Sequence, residues 1–326
     1  MRTKAKTSDG FRNGRSDRTG TTEVLFALRP ANSFPKSSPF HTSKKSMITL
    51  SLPNEYFSPK ATLECGQVFR FTPFDGGYLL ISADKACLLR EENKTVFLTC
   101  EEADEAYFCN YFDLQTDYKE ICAEAETFGV PFLSAAASFG KGLRILRQDK
   151  AECILSFLVS QQNNIPRIKG ILSRIAAALG EKKSFLGQTY HAFPPLRALA
   201  EKSEEFYRQA GLGYRAKYVA DTSRRLFLEG LSPLENKRGN ELKKALTSYM
   251  GVGNKVADCI SLFAFHETAA FPVDTWIEKL YHQDFGGTET DREKINRFFV
   301  EKFGRNGGIF QQYLFYYKRE STRASV

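Results

Sequence analysis

Lys255 stands directly behind a glycine-rich turn in Tyr249-Met-Gly-Val-Gly-Asn-Lys-Val-Ala-Asp-Cys259, and Pro272-Val-Asp274 supplies a carboxylate, Asp274, nineteen residues further on. The glycines let backbone N–H groups of Gly251, Val252 and Gly253 face outward at the start of a helix. There the helix dipole favours a phosphate. A seated phosphate, an amine and an opposed carboxylate are the parts needed to cut a base from DNA.

An ordinary lysine, with a pKa of about 10.4, is neutral at pH 7 in only about one molecule in a few thousand. A nucleophilic Lys255 is therefore expected to be depressed to roughly 7 to 8, by burial and by the positive end of its own helix. The alternative is a surface lysine paired with Asp258 at i+3, which would raise its pKa. Asp274 reads equally as the N-cap of a helix through Trp276 and Ile277, with Thr275-Trp-Ile-Glu278 as a competing capping box. The two roles are compatible, because a capping carboxylate is held rigid where it could face a cationic sugar. The hairpin alone also suits polymerases, ligases and plain binding modules, so a non-catalytic DNA clamp stays open at this point.

These groups need a helical scaffold, and the periodicity supplies one. Glu241 to Tyr249 and Lys255 to Phe265 read as two helices around Met250-Gly-Val-Gly-Asn254, a helix-hairpin-helix. Asp149-Lys-Ala-Glu152 is a capping box ahead of the apolar stripe Ile154, Leu155, Phe157 and Leu158, and that helix ends near Gln161. Pro166 opens the next helix, with Gly180 as its stop. Further helices are expected at 216–228, 275–282, 292–303 and 309–318. Before them, from Ile48 to about Thr99, short runs read as strands: Thr62-Leu-Glu-Cys, Val68-Phe-Arg-Phe, Tyr78-Leu-Leu-Ile, Ala86-Cys-Leu-Leu and Thr95-Val-Phe-Leu. The expected fold is α+β: a small N-terminal antiparallel β-sheet domain over 47–112, then a two-part all-helical domain over 113–326 divided by a cleft.

Residues 1–46 hold ten Lys and Arg against three Asp and Glu, while the rest of the chain holds 36 against 35. The net charge of +8 therefore belongs almost wholly to a polar leader of disordered composition. Affinity of the body for a polyanion must come from a local patch and backbone dipoles. Deleting residues 1–46 is expected to leave turnover nearly intact at moderate salt, which an assay of the shortened chain checks. The seven cysteines are scattered without a C-x-x-C pair and the four histidines lie far apart, so reduced thiols, no metal site and no cofactor are expected. No apolar run is long enough to span a membrane.

Five ordered blocks carry a resemblance: Leu143-Arg-Ile-Leu-Arg-Gln-Asp149, Ser156-Phe-Leu-Val-Ser-Gln-Gln-Asn-Asn-Ile-Pro-Arg167, Leu212-Gly-Tyr-Arg-Ala-Lys-Tyr218, Gly251 to Cys259 and Pro272-Val-Asp274. Over about residues 50–320 the chain resembles the 8-oxoguanine DNA glycosylase/AP lyases of the helix-hairpin-helix Gly/Pro-Asp superfamily. The resemblance implies that Lys255 attacks the anomeric carbon, expels the base and forms a Schiff base, and that Asp274 stabilises the oxocarbenium charge. It implies a base pocket of Gly66, Cys259, Gln311 and Phe315, in which the Gly66 carbonyl accepts the N7 hydrogen found in 8-oxoguanine and absent from guanine. Gln311 would address the Watson–Crick edge, and Phe315 and Cys259 would sandwich the base; both pairs of four-apart residues, Gln311 with Phe315 and Lys255 with Cys259, share a helix face.

Gln162, in the DNA-contacting stretch with Asn163 and Asn164, would fill the hole left by the flipped base, and Arg167 and Arg215 would grip the opposite cytosine. Two departures from the family pattern are Met250 in place of a proline and Trp276 in place of a histidine near the substrate phosphate. Cys259 is the last cysteine, so the iron–sulfur loop of some DNA glycosylases is not expected. The implied partner is duplex DNA containing 8-oxoguanine opposite cytosine, bound by a monomer in the bacterial cytoplasm. An alkylated-base glycosylase, which uses the aspartate without the lysine, is the nearest enzymatic alternative; Lys255 and Gly66 count against it.

Overall fold

The computed structural model describes residues 46–324; the leader, apart from Ser46, lies outside them. Five strands, β1 (Met47–Pro53), β2 (Phe71–Phe74), β3 (Gly77–Ser82), β4 (Lys85–Glu92) and β5 (Thr95–Glu101), form an antiparallel sheet in the order β1-β5-β4-β3-β2. Tight turns set its register. Asp75 and Gly76, at φ 47° and 71°, close β2 on β3, and Asn93 and Lys94, at 49° and 64°, close β4 on β5. The buried face, including Leu80, Leu89, Val96 and Leu98, packs on Phe108, Tyr111 and Phe112.

The sheet and the helical region that follows it are those the strand and helix patterns predict, with corrections in detail. Thr62-Leu-Glu-Cys is not a strand: Pro59–Glu64 is a helix, because Ser58 caps it, accepting from the Ala61 N–H at 3.3 Å, and Pro59 sits in its first turn. Of Val68-Phe-Arg-Phe only Phe71 reaches a strand. Its neighbours are drawn into two different cores, Val68 under the sheet and Phe69 among the helices. A second hairpin, β6 (Lys182–Phe185) with β7 (Gln188–His191), interrupts the helical region, closed by Leu186 and Gly187 in left-handed conformations.

Arg144 and Arg70 tie sheet to helices. Arg144, 5% exposed, donates to the carbonyls of Tyr56, Phe112, Asp113 and Thr116. Arg70 meets Glu152 at 3.3 Å and the His191 carbonyl. The expected capping box at 149–152 is thus only half made. Asp149 accepts from the Glu152 N–H at 2.9 Å, but the Glu152 carboxylate turns to Arg70 and to the Ala83 N–H, at 2.7 Å, instead of returning to the cap. The consequence reaches the cleft, since Arg70 ends the segment that begins at Gly66.

The helices Lys150–Ser160, Ile165–Leu179, Ala216–Glu229, Gly239–Leu246, Asn254–Ala264, Thr275–Asp284, Arg292–Phe303 and Gly307–Ala324 carry the rest. They bury one continuous core that includes Leu158, Ile171, Ile260, Ile277, Phe299 and Phe310. Among the described residues no helix is long and apolar enough to cross a membrane.

Candidate active site

A cleft of about 770 Å³ runs between Gly66, the 161–166 connection, the start of the Asn254–Ala264 helix, Asp274 to Trp276, and one face of the Gly307–Ala324 helix. On it opens a smaller pocket of about 50 Å³ lined by Gly66, Lys255, Cys259, Asp274, Gln311 and Phe315. The structure therefore brings together all six residues expected to do the chemistry and read the base. The pocket has room for a few waters and not for a purine, so admitting one would require a lining side chain such as the half-buried Phe315 to move.

Asp274 caps the Thr275–Asp284 helix, its Oδ1 accepting from the Trp276 and Ile277 N–H groups at 2.9 and 3.0 Å. One carboxylate oxygen is fixed by backbone and the other is left for the pocket. Lys255 does not pair with Asp258 as the alternative reading required. Asp258 Oδ2 accepts from Lys243 Nζ at 3.0 Å and from Asn296 Nδ2 at 3.2 Å.

The expected depression of Lys255 does not occur in the resting protein. Burial pushes its pKa down and is the largest single influence, but Cys259, Asp274 and, least, Asp258 together outweigh it and hold the ammonium above its ordinary value. The Cys259 share of that effect needs a thiolate, whereas burial lifts this thiol to about 11. Near neutral pH, Asp274 is thus the main charge opposing the deprotonation that burial favours.

One side of the pocket is marked by which acceptors lack donors. Along 64–67, the Glu64 carbonyl accepts from Arg319 at 2.6 Å, the Cys65 carbonyl from Gln312 at 2.9 Å and Arg319 at 3.3 Å, and the Gln67 carbonyl from Gln148 at 2.7 Å. Among the described residues nothing donates to the Gly66 carbonyl. Gly66 itself has φ +96°, and a Cβ there would lie 3.3 Å from Arg319 Nη1 and 3.6 Å from Phe315. Gln311, 4% exposed, has no donor for its Oε1. A half-buried carbonyl and a buried amide oxygen, both without donors on one pocket, would suit a ligand with donors on two sides.

The loop across the cleft carries Gln162, Asn163 and Asn164. Gln162 is exposed with φ 44°, and its amide oxygen accepts from the Tyr214 hydroxyl at 3.3 Å. Asn163 and Asn164 line the cleft too, but their side chains shape the loop. Asn163 donates to the Val159 carbonyl at 3.1 Å and accepts from the Asn164 N–H, and Asn164 caps the next helix through the Arg167 N–H at 3.0 Å.

Arg215, expected to grip the opposite cytosine, lies beside the cleft loop and bonds to it. It is 4% exposed and donates to the carbonyls of Gln161, Gln162 and Leu212, because its buried guanidinium needs acceptors and the loop supplies them. Arg167 is exposed beside the cleft, within 3.3 Å of the Gly211 carbonyl.

The hairpin is built as read. Gly251 has φ +82° and a Cβ would fall 2.4 Å from the Tyr218 ring, so only glycine fits. Gly253 begins the Asn254–Ala264 helix without a side-chain cap, leaving its first N–H groups for an anion. Sequence reading missed Tyr214, Arg292, Arg319, Gln312 and Arg323. For Arg319 and Arg323 a signal existed: Gln311, Phe315, Arg319 and Arg323 recur every fourth residue and form one stripe facing the cleft and its pocket.

A hairpin-seated lysine facing a helix-capping aspartate over a cleft defines a helix-hairpin-helix base-excision scaffold. Residues 49–154 match the 8-oxoguanine DNA glycosylase N-terminal domain and residues 155–305 the HhH-GPD superfamily of base excision DNA repair proteins. The chain is 37% identical over 191 residues to the N-glycosylase/DNA lyase OGG1 of Arabidopsis thaliana, covering 54% of this chain and 52% of that protein. It is 29% identical over 202 residues to the N-glycosylase/DNA lyase of Saccharomyces cerevisiae, covering 57% and 52%. It thus spans about half the length of these two curated relatives. A crystal structure of Clostridium acetobutylicum 8-oxoguanine glycosylase/lyase, in complex with dsDNA containing cytosine opposite 8-oxoG, superposes with a TM-score of 0.78 at 38% identity, over 82% of this chain and 93% of that one. The chain belongs to the 8-oxoguanine DNA glycosylase/lyases of the HhH-GPD superfamily.

Proposed function

We propose that this protein excises 8-oxoguanine from duplex DNA, preferably opposite cytosine, and then cleaves the strand through a Schiff base on Lys255. The observation that carries the reading is the open Gly66 carbonyl, the one free acceptor among four consecutive carbonyls, in the pocket that also holds Lys255, Asp274 and the unpartnered Gln311 Oε1. 8-Oxoguanine offers N7–H on one edge and N1–H with its 2-amino group on the other. Guanine turns an N7 lone pair toward the Gly66 carbonyl, which leaves two acceptors facing each other and costs about 1–3 kcal/mol for the unmade bond alone.

Chemistry follows from the same geometry. The Lys255 amine, once neutral, adds to C1′ as the C1′–N9 bond breaks; the departing purine takes the electron pair, and the proton released by the amine balances it. Asp274 offsets the positive charge that builds on the sugar. Ring opening gives an iminium, which acts as an electron sink, so that loss of a C2′ proton expels the 3′ phosphate. Gln162, exposed on its left-handed turn, would enter the gap opposite cytosine. All the residues named here belong to one chain, so the reaction as proposed needs no second copy.

Incubating the protein with an 8-oxoguanine:cytosine duplex and borohydride is expected to give strand cleavage and a covalent adduct, with neither on the guanine:cytosine control. Lesion-independent binding without base release would instead identify a DNA-binding module and end this reading.

A further inference from the structure

We propose that Arg319 and Gln312 form a clamp that aims the Gly66 carbonyl, and that Arg319 is thereby a positioning residue for lesion selection. The inference rests on the function proposed above. Both side chains sit on the Gly307–Ala324 helix and reach the chain 247 and 254 residues earlier, where they donate to the same acceptor, the Cys65 carbonyl, at 2.9 and 3.3 Å. Arg319 adds a second donation to the Glu64 carbonyl at 2.6 Å. Two successive peptide planes before Gly66 are thereby fixed in orientation.

Fixing is needed at this point in the chain. Glycine at φ +96° lacks the Cβ that restricts other residues, so without external bonds its flanking peptides would rotate at little cost. On the far side, Gln67 is already tied down: its Nε2 donates to the Thr62 and Arg144 carbonyls at 2.9 and 2.8 Å, and its Oε1 accepts from the Leu146 N–H at 3.0 Å. Arg319 and Gln312 close the near side. The Arg319 guanidinium also lies 5.4 Å from the centre of the Phe315 ring, so one buried cation spans the acceptor wall and the ring whose movement would admit a base. A rotation about the Gly66 backbone between these two anchored sides would withdraw the single acceptor that distinguishes N7–H from a bare N7.

The test compares base excision with strand cleavage at a preformed abasic site, a step that uses Lys255 but has no base to read. Arg319→Met keeps the apolar stem and removes all donors; Arg319→Lys restores a shorter cation; Gln312→Leu removes the second donor independently. Single-turnover excision from an 8-oxoguanine:cytosine duplex is expected to fall about 10-fold or more in Arg319→Met. Cleavage at the abasic site should stay within about twofold, with partial recovery of excision in Arg319→Lys and a smaller loss in Gln312→Leu. Unchanged excision in Arg319→Met and Gln312→Leu overturns the clamp, as does an equal fall of both activities, which would mean general destabilisation. If the unsubstituted protein releases no 8-oxoguanine, the function proposed above fails and the clamp with it.

Discussion

Lys255→Gln is expected to abolish the borohydride-trapped adduct and to lower single-turnover excision by at least about 10³-fold, the scale of losing a covalent nucleophile. Duplex affinity should change by no more than a few-fold. Glutamine preserves a polar stem of similar length, and the anion seat at Gly251 to Gly253 is made of backbone, which the substitution does not touch. The measurements are adduct yield on a denaturing gel and a binding isotherm on the same 8-oxoguanine duplex. A trapped adduct of undiminished yield would remove Lys255 from the mechanism, and a loss of affinity in proportion to activity would recast it as a phosphate contact.

Much of this site was legible because its chemistry depends on local spacing. The hairpin, Lys255 and the Pro272-Val-Asp274 turn lie within 26 residues of sequence, and a four-residue repeat puts Cys259 with Lys255 and Phe315 with Gln311. Donor counts were not legible. That the Gly66 carbonyl is the free one depends on Arg319, Gln312 and Gln148 converging from distant helices and loops, and Arg215 meets the Gln161 and Gln162 carbonyls across more than fifty residues.

The fold shows the same division. Runs with strong internal signals formed as read: the helix Arg292–Phe303 and the Pro166 helix start. Thr62 to Cys65 failed because a Ser-Pro start in the preceding residues and burial against Gly142 and Arg144 outweighed the β preference of a short apolar run. The Leu186-Gly187 hairpin was missed because its flanking strands are only four residues each and largely polar on one side.

Asp274→Asn is the substitution that separates the two jobs of this carboxylate. Asparagine is as good an N-cap, so the Trp276 and Ile277 N–H groups keep a partner and the helix should persist. What disappears is charge. Excision should drop about 10²-fold or more, since the developing sugar cation loses its counter-charge. The same loss acts on Lys255 with opposite sign. The carboxylate raises the amine's pKa in the resting protein, so removing it lets burial prevail and the pKa falls. Imine formation with a preformed abasic aldehyde requires the neutral amine and breaks no glycosidic bond, so its pH profile reads this shift directly. In the unsubstituted protein, trapping should still be climbing between pH 7 and pH 9, the side on which a raised ammonium loses its proton. In Asp274→Asn the same climb should begin at lower pH, although excision is slower at every pH. A profile unmoved, or displaced toward higher pH, would mean that Asp274 does not govern the proton on Lys255.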